Sequence, residues 1–293
     1  MHKRSNFLFY INQLKLFMTK RIFLSFVLMA ATAGATYSQK IALTKGQKLE
    51  TITSTKMTME VMGQNVDNES TATSNIEVKD VNNDGYLFTN TVKRMTMKGS
   101  GMGQDMSFDS DKKEDMDGQV GQALKDRIGT VQEIQVDKQG KVTSTKDSDE
   151  KKAAGGMADM MSMTGDINKG QPYPILIQLP AKGVKTGDTW TDSSGTVATI
   201  KTVTIYTLKG VTADGALVSF TGTLAKSGTV EQNGMEIQMD MTGTTKGEAT
   251  YDAGSGLLKT SASSSDIKGT LGIMGQNAPI AATVIANIVA KKL

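Results

Sequence analysis

Four pairs of methionines stand two residues apart: Met57/Met59, Met95/Met97, Met161/Met163 and Met239/Met241. On a β-strand, residues two apart share a face, so each pair is spaced to present two soft thioethers to Cu(I). The same spacing suits a second use, because methionine is unbranched and polarisable and fills loosely shaped cores or lines apolar cavities. The chain has no cysteine, and its one histidine is His2. Nothing therefore supplies the stronger ligands that tighten a copper site. Met57, Met59, Met95, Met97, Met239 and Met241 are expected to line an apolar ligand site, with a methionine-based copper site as the alternative; no metal or cofactor is expected.

Other chemistry is weaker still. Asp80, Asn82, Asp84 and Gly85 match the first, third, fifth and sixth positions of a calcium loop, and Leu87 is apolar as in such loops, but position twelve is Thr91 rather than a bidentate glutamate. An Asn/Asp-rich hairpin turn explains the same residues. The acidic run from Asp105 to Asp117 reads as a solvated edge or linker. Ser265 and Lys268 satisfy Ser-x-x-Lys in spacing, yet alternating neighbours place them on a strand, where positions three apart face opposite ways. Gly99, Gly101 and Gly103 run into a strand-like segment rather than a helix, which excludes a nucleotide loop. Trp190 is the one tryptophan, too few for the sugar-stacking walls of a glycosidase. No catalytic residues are assigned.

The elements that must position these side chains begin after a targeting segment. Residues 18 to 38 have a basic start (Lys20, Arg21), an apolar run from Ile22 to Ala31 and then small residues, the layout of a cleavable secretory signal. The apolar run is well short of the roughly 20 residues of a permanent span. Cleavage is expected after Ala35 or after Ser38, and translation starts at Met1 or at Met18. The full chain carries 33 Lys and Arg against 30 Asp and Glu. Loss of residues 1–38 removes Lys3, Arg4, Lys15, Lys20 and Arg21 and no acid, leaving 28 against 30. The basicity thus belongs to the signal, and nucleic acid is excluded as a partner. Without cysteine, neither a lipoprotein anchor nor a disulfide is available, so the core alone must stabilise the exported chain.

Beyond the signal, apolar and polar residues alternate through Glu133–Val136, Ile200–Leu208 and Leu217–Leu224, the period of half-buried strands. Hairpin turns are marked by Asp84-Gly85, Gln139-Gly140, Asp214-Gly215, Asn233-Gly234 and the glycines of 252–256. Ile76–Phe88 and Tyr206–Val218 share Lys79/Lys209, Val81/Val211, Asp84/Asp214, Gly85/Gly215 and Leu87/Leu217. This reads as an internal duplication. The expected fold is all-β, antiparallel sheets or an open barrel built from two related β units. The expected organisation is a signal at 1–38, a first repeat at 39–147, a short helix (148–163) and proline-flanked connector within 148–180, and a second repeat at 181–293.

Three stretches carry a family resemblance: VDKQGKVT at 136–143, LPAKGVKTGDTW at 179–190, and Met-Gly-Gln at 62–64 and 102–104. The chain resembles an uncharacterised family of exported proteins from Bacteroidetes-type bacteria. That resemblance implies an exported β-rich protein and brings no catalytic residues with it. The function expected from all of these features is a periplasmic or extracellular, non-enzymatic carrier or binding module. Its expected partner is a hydrophobic small molecule or lipid, or an envelope protein; a structural or interaction protein without a ligand is the alternative.

Overall fold

The computed structural model describes residues 41–61, 63–101, 104–147, 167, 169–180, 182–195, 200–232, 235–273 and 276–293. The expected signal at 1–38, the expected helix at 148–163 with Met161 and Met163, and the expected Asn233-Gly234 turn lie outside them. The strands are β1 (Lys48–Val61), β2 (Gln64–Val81), β3 (Gly85–Gly101), β4 (Gln104–Asp109), β5 (Val131–Asp137) and β6 (Val142–Asp147). Then come β7 (Thr189–Ser194), β8 (Lys201–Thr212), β9 (Gly215–Gln232), β10 (Met235–Tyr251), β11 (Leu258–Ile273) and β12 (Gln276–Lys292). Two short helices, α1 (Lys113–Asp117) and α2 (Gln119–Leu124), follow β4.

All strands form one open antiparallel sheet in the order β6-β5-β3-β2-β1-β12-β11-β10-β9-β8-β7, with β4 paired to the far part of β3. The two halves of the chain meet where β1 pairs with β12, Leu49 opposite Lys292 and Met57 opposite Val284. The acidic run that reads from sequence as a solvated edge or linker contributes β4 and α1. Arg94 anchors it there, with Nη2 2.8 Å from Asp109 Oδ2 and Nε 2.9 Å from Asp111 Oδ2.

Alternation is clean along β10. Ile237, Met239, Met241 and Ala249 are buried, whereas Glu236, Gln238, Asp240, Lys246 and Glu248 are exposed. One face, called inner here, thus carries the core, and the other carries mid-strand charges that a lipid-facing strand would not tolerate. Among the described residues no helix is long and apolar enough to cross a membrane.

Several hydrogen bonds and ladder irregularities recur in the two halves. Gly46 N donates to Val78 O (2.8 Å) and Val78 N to Gln47 O; Gly187 N donates to Leu208 O (2.7 Å) and Leu208 N to Asp188 O. The ladder slips by one residue at Lys79, between Val78 and Asp80, and again at Lys209, between Leu208 and Gly210. Asp137 Oδ1 accepts from Gln139 N and Lys141 N in the β5–β6 turn, as Asp252 Oδ1 accepts from Gly254 N and Ser255 N in the β10–β11 turn.

The connector from Gln171 to Gln178 lies between these two turns and closes one end of the inner face. Val142 N donates to Gln171 O and Tyr173 N to Gly140 O, while Ile177 N donates to Gly256 O and Leu258 N to Ile175 O. Tyr173, Ile175 and Leu176 thereby enter a cluster with Val78, Phe88, Ile134, Val136 and Val142 from one half and Ala249, Leu257 and Leu258 from the other. Phe88 and Ile134 are completely buried, and each such side chain contributes about 1.5–3 kcal/mol of transfer free energy. The Tyr86 hydroxyl donates to the Ile41 carbonyl, which ties the segment leading into β1 to the same plug.

Candidate ligand-binding face

The inner face has three zones along its strands. At the plugged end, β7, β8 and β9 pair so that Trp190 lies opposite Tyr206, and Tyr206 opposite Phe220. Trp190 and Tyr206 stack at 5.5 Å and 17°, and Tyr206 and Phe220 are tilted at 6.2 Å. Phe220 faces Gly247 of β10, where a Cβ would overlap the ring; the glycine is the space the aromatic occupies. Burial, with the charge of Asp192 as the second cause, pushes the Tyr206 hydroxyl up to about 12. Burial likewise holds Tyr251 and Tyr173 far above the ordinary phenol range. Among the described residues, three buried polar atoms on this face have no hydrogen-bond partner: Trp190 Nε1, Tyr173 Oη and Asn90 Oδ1.

At the far end lies the methionine zone. Met57, Met239 and Met241 are buried in a cluster with Ile237, Ile267, Leu271, Ile280, Ala282 and Val284, with Met59 and Leu224 packed against it. Met95 and Met97 are half-buried inner-face residues of β3, opposite Ala72 and Ser70, and stand outside that cluster. Four of the six methionines singled out by spacing are thus gathered on β1 and β10, and two are not.

On the central strands β2, β1, β12 and β11 small side chains predominate between the two ends, with Ile288 opposite Thr53 and with Met95, Met97 and Phe220 flanking them on β3 and β9. The pairings set Thr53 opposite Ala72, Thr55 opposite Ser70, Ser263 opposite Ala286 and Gly247, and Thr245 opposite Ser265 and Gly222. These positions are half-buried. Ser265 Oγ donates to Thr245 Oγ1 at 2.9 Å, and Ser194 Oγ and Thr202 Oγ1 share a bond of 2.8 Å. Lys268 points to the opposite, exposed face, so Ser265 has no lysine beside it. In the β2–β3 turn, Asn82 Oδ1 accepts from Asp84 N and Gly85 N at 2.9 and 3.0 Å. That side chain shapes a hairpin. Among the described residues no group of three or more Asp, Glu, His or Cys is placed to hold a metal ion.

A cleft of about 580 Å³ borders this face, lined by Pro180, Lys182, Val184, Gly187, Asp188, Thr189 and Trp190 in the loop that leads into β7. Another, about 380 Å³, lies on the opposite, outer face across β8–β11, beside the exposed Ile205, Thr223 and Lys246. Sequence reasoning missed Trp190, Tyr206 and Phe220 as a set. Their period-2 placement within β7, β8 and β9 is visible, but the register that stacks them is not.

Residues 169–258 match a family of unknown function (DUF6263). The matched segment spans the connector, the Pro180–Trp190 cleft, the aromatic row and β10, so it contains the plug itself and one half's contribution to the plugged end, with Met239 and Met241. No curated protein matches the sequence. Among solved structures, one described as lipid-protein interactions in lipovitellin covers 85% of this chain at 8% identity, with a TM-score of 0.48. This chain spans 25% of that lipovitellin chain. An outer membrane channel from Pseudomonas putida F1 matches over 88% of this chain and 100% of its own, at 6% identity and a TM-score of 0.23. The OccK5 (OpdH) protein of Pseudomonas aeruginosa matches over 84% and 98%, at 6% identity and 0.25. At these identities the likenesses concern the fold.

Proposed function

We propose that this protein is an exported, non-enzymatic carrier that holds a hydrophobic small molecule or lipid on its inner face. One observation carries the reading: on β1, β2 and β11 a half-buried floor of Ser, Thr and Ala lies between two apolar clusters and is flanked by Met95 and Met97 of β3 and Phe220 of β9, so the floor's own side chains fill little of the space between these flanks. The floor together with the edge of the methionine cluster it runs into is long enough for one acyl chain. From Ser261, beside the plug, to Ile267, in the methionine cluster, is six residues of β11, about 20 Å at ~3.3 Å per residue. One leaflet's chain occupies about 15 Å, half of a ~30 Å hydrocarbon core. Methionines at the far end suit such cargo because they adapt to its shape. Export rests on residues 18–38 and on a resemblance to exported proteins of Bacteroidetes-type bacteria. The absence of an enzymatic role rests on a chain with no cysteine and no histidine beyond His2.

Titration of the protein with the fluorescent fatty acid cis-parinaric acid tests this. Saturable binding of one probe per chain, displaced by a non-fluorescent fatty acid, is expected. Probe emission that rises without saturation, or fails to rise, sinks the reading. A second reading, docking of an envelope protein, has one observation in its favour: Ile285 and Val289 are over 40% exposed on the outer face of β12. It predicts a protein partner captured through β12 that Ile285→Lys abolishes.

A further inference from the structure

The two end strands of the sheet, β6 and β7, share no backbone ladder, yet they are joined. Lys141 Nζ, at the start of β6, is 2.6 Å from Asp192 Oδ1 in β7, with the aspartate side chain only 16% exposed. The lysine side of this contact is fixed. Lys141 O accepts from Asp137 N (2.8 Å), Lys141 N donates to Asp137 Oδ1 (2.9 Å), and the neighbouring Gly140 O accepts from Tyr173 N of the plug. The aspartate side is not fixed in the same way, because β7 is six residues long and its ladder is to β8 alone. Asp192 shares the inner face with Trp190 and Tyr206, so whatever separates the pair uncovers the aromatic row.

We infer that the seam between β6 and β7 is a side door to the inner face, latched by Lys141 and Asp192, with β7 as the leaf that moves. The inference rests on the carrier reading for what passes through. It follows from the way both ends of that face are occupied: the connector plugs one, the methionine cluster fills the other, and the seam is the place where the sheet is held by side chains instead of a ladder. Neutralising Asp192 removes this side-chain tie across the seam and leaves Lys141, whose side chain is 38% exposed, free to turn to water, so β7 is then held by its ladder to β8.

The lack of cysteine makes the test clean. In a Lys141→Cys/Asp192→Cys protein, a short reductant-cleavable reagent that bridges two thiols locks the seam, and Asp192→Asn unlatches it while keeping size. With cis-parinaric acid as the probe, the locked protein is expected to take up and release it at least about tenfold more slowly than the parent at an unchanged Kd, with reductant raising the rates to those of an unlatched seam, at or above the parent's; Asp192→Asn is expected to be faster in both directions. Rates that do not respond to the lock overturn the door. An arm without probe separates this from the carrier reading. Amide hydrogen exchange across Thr189–Ser194 is expected to quicken in Asp192→Asn while β1 and β12 stay unchanged. If the parent binds no probe, the carrier reading fails, and exchange in β7 that matches the parent then also removes the door.

Discussion

Gly85 and Gly215 hold the same position in the two halves of the sheet, each opening the second strand of a hairpin and each pressed against a carbonyl of the next strand. A Cβ on Gly85 would overlap the Val136 oxygen, and one on Gly215 the Tyr251 oxygen. Both glycines have positive φ, 149° and 135°. Gly85→Ala and Gly215→Ala are therefore each expected to cost about 3 kcal/mol or more, the upper range for strained backbone plus the displacement of a neighbouring strand. Denaturant unfolding checks this, and equal losses at the two sites are the signature of their equivalence.

The methionines separate apolar lining from metal binding. Leucine is close to methionine in volume and cannot coordinate a metal, so Met57→Leu/Met59→Leu is expected to cost under about 1.5 kcal/mol per site and to leave probe affinity within a few-fold. The parent is expected to show no Cu(I)-dependent rise in Tm. A copper-dependent rise that the leucine protein lacks would restore the thioether site.

Much of the fold is legible in the chain because the signals are local. Asp84-Gly85 and Asp214-Gly215 mark turns, and the alternation from Glu133 to Val136 announces the buried face of β5, where Ile134 and Val136 are buried. What is hidden depends on partners far apart in sequence. Nothing local says that Tyr173 inserts against Phe88, their rings 4.9 Å apart, or that Lys141 meets Asp192 across 51 residues. The apolar run from Ile175 to Ile177 reads as an extended connector, and it is one, but its burial at 5%, 1% and 2% exposure comes from two turns that clamp it. The helices escaped notice because Lys113–Asp117 is a single turn with no apolar face. Met95 and Met97 have the same spacing as Met239 and Met241; only the register, which sets them opposite Ala72 and Ser70, keeps them out of the cluster.

Alkaline pH is expected to loosen the plugged end. Buried neutral phenols favour the folded state as long as unfolded tyrosine, with its pKa near 10, stays protonated. Tyr206 is raised to about 12, and Tyr173 and Tyr251 are raised further. Their contribution is therefore complete below about pH 10 and is lost as pH climbs from there through the folded-state values. Denaturation midpoints across this range, followed with tyrosinate absorbance, should fall as the phenols ionise together with unfolding. Ionisation of Tyr173, Tyr206 and Tyr251 near pH 10 in a still-folded protein contradicts the burial.

Export predicts a defined start. Amino-terminal sequencing of the protein from its own cells is expected to begin between Thr36 and Gln39, in material recovered outside the cytoplasm. Intact Met18 would remove the export proposal.

The central claim, that the inner face holds a hydrophobic cargo, is tested most directly by native mass spectrometry of the protein purified from its own host without detergent. The account predicts a population heavier than the polypeptide by one lipid-sized molecule, which organic extraction releases and which competes with cis-parinaric acid when added back. A single mass equal to the processed polypeptide, from a preparation that also fails to bind the probe, would contradict it.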